Sequence, residues 1–319
     1  MAKYTCRRIA EAIPLLFLVS LASFFIMHLA PGGPLAAYAH NPLVSPGQIA
    51  KLKAELGLDD PWYVQYLKWL SALLQGNWGL SYQDGRPVLA VISERLPATL
   101  LLMGAALLIS VGLALPIGIF SALRRYSKLD YTFTLGSFFA WAMPTFWFGL
   151  MAQFVLAVHL GLFPVSGFRG IGGGGPWDIL HHLILPSLVL GLTSIASWSR
   201  FLRSSLLEVL VQPFMMTSKA KGNSGSTTLF RHALPVALLP LITIMGLDIP
   251  ALFTGAVITE TIFSWPGMGQ LFFASLNARD YPVEMGLLII TSSLIIGGNL
   301  VADLGYALLD PRIRLGAKA

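Results

Sequence analysis

The sequence predicts an all-α integral membrane protein. Of its 319 residues, 55% are apolar and only 11% are charged, and the mean hydropathy is +0.71. A soluble domain carries about 25% charged residues, so this composition excludes an ordinary soluble enzyme and a disordered chain. The apolar residues form continuous runs rather than alternating segments, which favours helices over the strands of a β-barrel.

Six segments are long enough to cross a membrane, for which a helix needs about 20 mainly apolar residues. Lys3, Arg7 and Arg8 precede the first segment, whose length favours a retained helix over a cleaved signal peptide. The predicted spans are Ile9 to Leu29, Pro97 to Leu123, Tyr131 to Leu160, Ile179 to Trp198, Val236 to Ile262 and Val283 to Leu309.

The distribution of basic residues predicts the orientation of these spans. With six spans both termini lie on one side, and 14 of the 21 Lys and Arg residues fall on that side. Five of the other seven lie in the first loop, which is too long to influence orientation, so the short loops compare as 14 against 2. Both termini are therefore expected to be cytoplasmic. The net charge of +6 reflects this bias, since no basic stripe indicates a nucleic-acid partner.

The long loop after the first span is predicted to be extracytoplasmic. It opens with the turn Pro31-Gly32-Gly33-Pro34, and its aromatic residues Trp62, Tyr66 and Trp69 recur at helical spacing after Pro61. An amphipathic helix at the outer membrane interface fits this pattern. Packing of the same helix against the rest of the outer region fits it equally well.

Sites for a nucleotide or a metal are not indicated. The chain has no G-x-x-x-x-G-K-[ST] loop, and the glycine run 170–175 follows no strand, so we interpret it as a flexible outer loop. Cys6 is the only cysteine, and we interpret His181-His182 as an interfacial pair rather than a metal site. No cofactor is therefore expected in this chain.

Acidic residues in the later spans are candidates for a transport pathway, because a charge at mid-membrane costs about 2.5–3.5 kcal/mol. Asp248 lies deepest, between Gly246 and Pro250, and Glu260 follows in the same span. Asp248 either lines a water-filled path or bonds to a neighbouring helix. The acids Glu284 and Asp303 lie towards the ends of the last span.

The polar stretch from Arg200 to Pro235 is the most informative, because a loop of this size between two spans offers a docking surface without lipid contact. In it, Gly222 is followed by nine residues and then by His232-Ala233-Leu234-Pro235. This spacing resembles the EAA loop of ATP-binding-cassette importer permeases, and RSSLLEVL with KAKG is similar to the dipeptide/oligopeptide/nickel subfamily. Similar pieces run along the chain, among them Gly79-Leu80-Ser81-Tyr82, Leu185-Pro186-Ser187-Leu188, Glu260 to Gly269, Asp280-Tyr281-Pro282 and Leu309 to Arg314.

The resemblance implies a permease of the type I importer fold, with 1–29 as the first span, 30–96 as the outer loop, 97–309 as the core with a coupling loop at 200–235, and 310–319 as a cytoplasmic tail. It implies a cell inner-membrane complex of two such permeases, two ATPase subunits that hold ATP and Mg, and an extracytoplasmic solute-binding protein. The segment Thr217 to Thr228 would dock on the ATPase. The implied coupling residues are Thr217, Ser218, Lys219, Ala220, Lys221, Gly222, Leu234 and Pro235.

This chain departs from the motif because Met216, Thr217 and Ser218 occupy the positions of E-A-A. The change removes an acid and leaves contact with the ATPase to Lys219, Lys221 and backbone shape. The solute stays open among dipeptides, longer peptides, nickel chelates, glutathione and oligosaccharides.

Two other classes of function compete with this hypothesis. A proton-coupled secondary transporter would use Asp248, Glu260 and Asp303 as a relay, and an internal inverted repeat, which is not evident, would indicate it. An intramembrane enzyme would need a nucleophile with its base, or metal ligands, within the spans, and no convincing set is present. We therefore expect a transport subunit that is not itself an enzyme.

Overall fold

The computed structural model describes residues 2–29, 47, 58–170 and 172–309, and within them it is built of helices. Among these residues, five helices are long and apolar enough to span a membrane, or six if one bent pair counts as a span. The helices in chain order are α1 Ala2–Leu29, α2 Trp62–Leu74, α3 Val88–Leu123, α4 Lys128–Ala142, α5 Thr145–Ala152, π1 Gln153–His159, α6 Pro176–Leu210, α7 Pro213–Ala220, α8 Gly225–Thr227, π2 Thr228–Ala233, α9 Leu234–Ile262, α10 Met268–Ala278 and α11 Tyr281–Leu309.

The predicted span from Tyr131 to Leu160 is broken in the structure. Its two halves, α4 and α5 with π1, meet at an angle of 112°. The break falls at Met143, whose ψ of 134° is extended, because the ring of Pro144 disfavours helical geometry in the residue before it. Pro144 then stands at the start of α5, where its missing N–H is not needed.

Contacts divide the chain into two units, of which the first comprises Met1–Thr5, Leu100–Trp265 and Gly297–Ala319. Its core joins α6 and α9 around Trp198, Leu202 and Leu241, which are almost fully buried. Small residues allow the close approach of membrane helices. A Cβ built on Gly191 would lie 2.4 Å from Ser110 Oγ, and that hydroxyl donates to the Gly191 carbonyl at 3.1 Å.

Helix α9 continues through Pro240 and Pro250 without a break. In membranes, neighbouring helices and hydroxyl groups satisfy the backbone groups that an internal proline disturbs. Ser205 Oγ of α6 donates to the Ala237 carbonyl of α9 at 3.0 Å. A Cβ on Gly246 would lie 2.6 Å from Ala302 Cβ of α11, so α9 and α11 pack closely at this point.

The second unit comprises Cys6–Thr99 and Pro266–Ile296. The helix predicted at the aromatic repeat of Trp62, Tyr66 and Trp69 is confirmed as α2, which begins at Trp62 after Pro61. Its buried residue Tyr66 bonds to Ser20 Oγ of α1 at 2.9 Å and meets Phe24 edge-on. Helix α2 therefore packs on the first span.

A small turn structure precedes α3 in this unit. Ser81 N–H donates to the Arg86 carbonyl, and an antiparallel bridge joins Leu80 to Pro87. The carboxylate of Asp280 accepts from Ser81 Oγ at 2.5 Å and from Tyr82 N–H at 3.0 Å. Asp280 thus fixes this turn to the start of α11.

Several parts of the predicted organisation lie outside the described residues, among them the turn Pro31-Gly32-Gly33-Pro34 with most of the loop up to residue 57, the tail 310–319, and the side chains of Lys3, Cys6, Arg7, Arg8 and Asp303.

Candidate functional site

The connection between α6 and α9, residues 211–233, contains the motif found in the sequence. The first element of the connection is helix α7, and Pro213 is the first residue of that helix. Met215 is 2% exposed and packs with Leu206 and Val209 of α6, whereas Met216 next to it is 71% exposed. Helix α7 therefore has a face fixed to the core and a face presented outward.

The end of α7 has the geometry of a Schellman motif, in which a left-handed residue closes the helix. Gly222 has φ +78°. Its N–H donates to the Lys219 carbonyl at 2.9 Å, and the N–H of Asn223 donates to the Ser218 carbonyl at 3.4 Å. The turn expected at Gly222 is present, and it needs a residue that tolerates positive φ.

The candidate coupling residues on α7 separate into two groups. Ser218 is 6% exposed, and its Oγ lies 3.2 Å from Thr228 Oγ1 and accepts from Asn223 Nδ2 at 3.1 Å. Its hydroxyl therefore holds the connection together rather than facing outward. Thr217, Lys219, Ala220 and Lys221 are exposed, so they are available to a partner.

The second half of the connection leads into the next span. Ser224 caps α8 by accepting from Thr227 N–H at 3.2 Å. π2 follows and buries Leu229 and Ala233 in the same core that holds Met215. Leu234 packs against this core, and Pro235 is exposed in the first turn of α9. The connection is thus joined to α6 and α9 by apolar contacts.

The acids of α9 do not form one site. Asp248 is half-buried and accepts from Trp198 Nε1 of α6 at 2.6 Å, so it bonds to a neighbouring helix. Glu260 is fully buried. Because it lies 12 residues further along a continuous helix, the two positions are about 18 Å apart along the axis. This separation is too large for direct proton transfer between them.

Asp178 of α6 bonds to the glycine loop that precedes this helix. Asp178 Oδ2 accepts from Gly170 N–H at 2.7 Å, and His182 Nδ1 lies 3.3 Å from Asp178 Oδ1. His181 Nε2 lies 3.0 Å from the Leu162 carbonyl. Among the described residues, no group of three His, Cys, Asp or Glu side chains is placed to hold a metal ion.

The sequence analysis missed an ion pair between α4 and α6. Arg203 Nε and Nη2 donate to the two carboxylate oxygens of Asp130 at 2.7 and 2.8 Å. In the sequence, Arg203 contributes only to the count of basic residues, and Asp130 belongs to no motif. Their spacing of 73 residues gives no local pattern that could have indicated the pair.

Outside the membrane spans, the turn before α3 holds a carboxyl group whose pKa is shifted by a backbone hydrogen bond. The N–H of Arg86 donates to Asp84 Oδ1 at 3.0 Å and lowers the pKa of that carboxyl. Asp84 is exposed and therefore charged at neutral pH, as a surface carboxylate ordinarily is.

Comparison with protein families gives two matches that follow one another along the chain. The model described as "Binding-protein-dependent transport system inner membrane component" matches residues 114–315. The model for the N-terminal part of such membrane components matches residues 1–103.

Individual proteins are similar over almost the whole chain. The oligopeptide transport system permease protein AppB of Bacillus subtilis is 45% identical, covering 98% of this chain and 99% of its own. The dipeptide transport system permease protein DppB of Escherichia coli K12 is 36% identical with the same coverage, 98% and 99%. A solved chain of the MetNI methionine ABC transporter has a TM-score of 0.58 at 15% identity, covering 70% of this chain and 97% of that one. This last likeness concerns the fold.

Proposed function

The chain belongs to the family of binding-protein-dependent transport system inner membrane components, and we propose that it forms half of the translocation pathway of a peptide importer. Members of this family are multi-pass permease subunits of ABC importers, and separate ATPase subunits hydrolyse the ATP. They work in complexes that include ATPase and substrate-binding components. Peptides are the proposed solute because the relatives named above are oligopeptide and dipeptide permeases.

The observation that carries this proposal is similarity along the whole length of the chain. Identity of 45% extends over 315 residues and includes the spans, the outer loop and the α6–α9 connection. Two findings argue against a proton-coupled secondary transporter. The matching family models describe components of binding-protein-dependent transport systems, and Asp248 and Glu260 are too far apart for direct proton transfer between them.

The proposed complex contains this permease, a second homologous permease, two ATPase subunits that hold ATP and Mg, and an extracytoplasmic solute-binding protein. The chain lies in the cell inner membrane with both termini cytoplasmic, which the basic residues of the short loops support. The division into a first span (1–29), outer loop (30–96), core (97–309) and tail (310–319) follows from that topology.

The proposed contact with the ATPase is the outward side of α7 and its closing turn. Thr217, Lys219, Ala220 and Lys221 are exposed there, together with Met216. The turn at Gly222 supports the shape of this surface, and Ser218, Leu234 and Pro235 support it through the core and α9. An exposed apolar side chain flanked by lysines suits a cleft with an apolar floor and an acidic rim.

Asp248 and Glu260 are proposed as residues of the translocation pathway. Asp248 is half-buried beside Trp198, and Glu260 is 12 residues away on α9, so the Asp248 carboxyl offers a single acceptor site to a polar or positively charged part of the solute. Glu260 is fully buried, and its contribution would be to the shape of the pathway rather than to direct contact with solute.

Reconstitution tests the proposal. The chain is purified with its second permease and ATPase subunits, placed in liposomes with the solute-binding protein, and supplied with labelled di- to pentapeptides. Uptake is expected only when ATP is supplied on the side of the membrane that carries the ATPase subunits and the solute-binding protein is present on the other side. Uptake driven by a proton gradient without ATP would overturn the proposal, and uptake of nickel chelates in place of peptides would overturn its solute.

A further inference from the structure

Asp130 receives three N–H donors in a buried site at the start of α4. Besides the two bonds from Arg203, its Oδ2 accepts from Tyr126 N–H at 2.8 Å, and the residue is 2% exposed. Tyr126 has φ +63°, which is uncommon for a residue with a side chain. The carboxylate thus organises the turn before α4 as well as the contact with α6.

A second arginine extends the same contact along α4. Arg200 lies one turn before Arg203 on α6, and its guanidinium stands 4.7 Å from the ring centre of Phe138 and 5.6 Å from that of Trp141. Contacts of a guanidinium with aromatic faces are favourable and strengthen when they are shielded from water. Arg203 therefore bonds to the first turn of α4, and Arg200 contacts its last turns at Phe138 and Trp141, whose side chains are 54% and 64% exposed.

This two-arginine contact, which we name the α4–α6 clamp, consists of Asp130, Arg203, Arg200, Phe138 and Trp141. A bidentate guanidinium–carboxylate pair fixes orientation as well as distance. Such a pair is weak evidence for stability, because removing both charges from water costs about as much as their attraction returns. Its geometric effect is that α4 and the end of α6 hold one orientation.

The clamp lies between two features that bear on motion. Beyond it, the last turns of α6 bury Leu206 and Val209 in one cluster with Met215 of α7. At the other end of α4, the chain turns by 112° at Met143 and continues as α5. A displacement of α7 can therefore pass through α6 to α4, while the break separates α4 from α5.

We propose that Asp130 and Arg203 are positioning residues for transport, which make α4 move together with the end of α6 when the docked α6–α9 connection is displaced. This inference rests on the proposed function, because it needs an ATPase that acts on that connection. The bent span then acts as a lever whose pivot is at Met143 and Pro144.

The first test measures uptake and ATP hydrolysis together in the reconstituted complex. Asp130→Asn should leave assembly and hydrolysis in place and lower the number of peptides imported per ATP by about fivefold or more, the lower end of typical coupling effects. Asp130→Glu, which keeps the charge, should restore most of that ratio. Lys128→Gln serves as the control, since it removes an exposed charge two residues away.

The second test needs no change in the clamp and so does not depend on the folding of its variants. In a Cys6→Ser background, spin labels are placed at Leu135 of α4 and either Phe201 of α6 or Phe154 of π1, all of them exposed. On ATP binding, the 135–201 distance should stay constant and the 135–154 distance should change. A 135–201 distance that changes as much as the other would overturn the inference.

The outcomes separate this inference from the proposed function. If the wild-type complex shows no ATP-dependent uptake, the proposed function fails. If it imports peptides and Asp130→Asn leaves the ratio of uptake to hydrolysis unchanged, the proposed function stands and the clamp has no role in positioning.

Discussion

The α6–α9 connection and the α4–α6 clamp are stabilised by opposite means. The connection is largely exposed, and its hydrogen bonds join residues no more than 10 positions apart, such as Ser218 and Thr228. The clamp is buried at Asp130 and joins charged residues 73 positions apart. The connection should therefore depend on its backbone turn and tolerate changes on its surface, whereas the clamp should depend on its charges.

The largest effect is expected at the backbone turn of the connection. Gly222→Val places a β-branched residue at φ +78°, where strain costs about 1–3 kcal/mol. We expect normal abundance in the membrane, weakened assembly with the ATPase and loss of uptake. Gly222→Asn is the matched control, because Asn tolerates positive φ, and it should retain assembly. An equal loss of assembly in both variants would show that the positive φ at position 222 is not what assembly requires.

Two adjacent methionines test the two faces of α7. Met215→Ala opens a cavity in the core and should lower the free energy of unfolding by about 2–5 kcal/mol, as measured by denaturation in detergent. Met216 is 71% exposed, so Met216→Ala should change that free energy by less than about 0.5 kcal/mol and weaken binding of the ATPase instead. The assignment of faces fails if the two variants exchange these effects.

The bond between Trp198 and Asp248 also joins residues far apart in the sequence, so it tests whether such contacts contribute to stability. Trp198→Phe removes the N–H that reaches Asp248 and leaves the half-buried carboxylate without this donor, which costs up to about 1–3 kcal/mol. Thermal unfolding of the purified complex should show this loss. Asp248→Asn keeps an oxygen that can accept from the Trp198 N–H, so it should lower the stability less than Trp198→Phe does. Loss of uptake in the Asp248→Asn variant at unchanged stability would support a role of the charge in the pathway.

The smallest effect on transport is expected at the cap of α8. Ser224→Ala removes the acceptor for Thr227 N–H, and such a change costs about 1 kcal/mol. A small fall in the unfolding temperature with retained uptake is the expected result. Complete loss of transport in this variant would mean that the connection depends on more than its turn at Gly222.

Local patterns in the sequence predicted most of the helices and the turn at Gly222. Five of the six apolar runs fall within single helices, and the run Tyr131 to Leu160 is broken between α4 and α5. Gly222 has the positive φ that its place after α7 requires. The break at Met143 was not predicted, although Pro144 was visible, because Pro240 and Pro250 lie in α9 without ending it. Whether a proline breaks a membrane helix depends on its neighbours in space.

Contacts between distant residues could not be predicted in the same way. Arg203 and Asp130 belong to different spans, and a single sequence does not reveal which faces of two helices meet. The same limit applied to Asp248, for which a bond to another helix was one of two interpretations before Trp198 was found beside it.

The most direct test of the central claim is the position of the α6–α9 connection relative to the ATPase and the membrane. In a Cys6→Ser background, Thr217→Cys and Gln83→Cys are compared, both at exposed positions. The account predicts that a membrane-impermeant maleimide labels position 83 from outside the cell but not position 217. It also predicts that a short crosslinker joins position 217 to the ATPase subunit. Labelling of position 217 from outside, or a crosslink to the solute-binding protein instead, would contradict it.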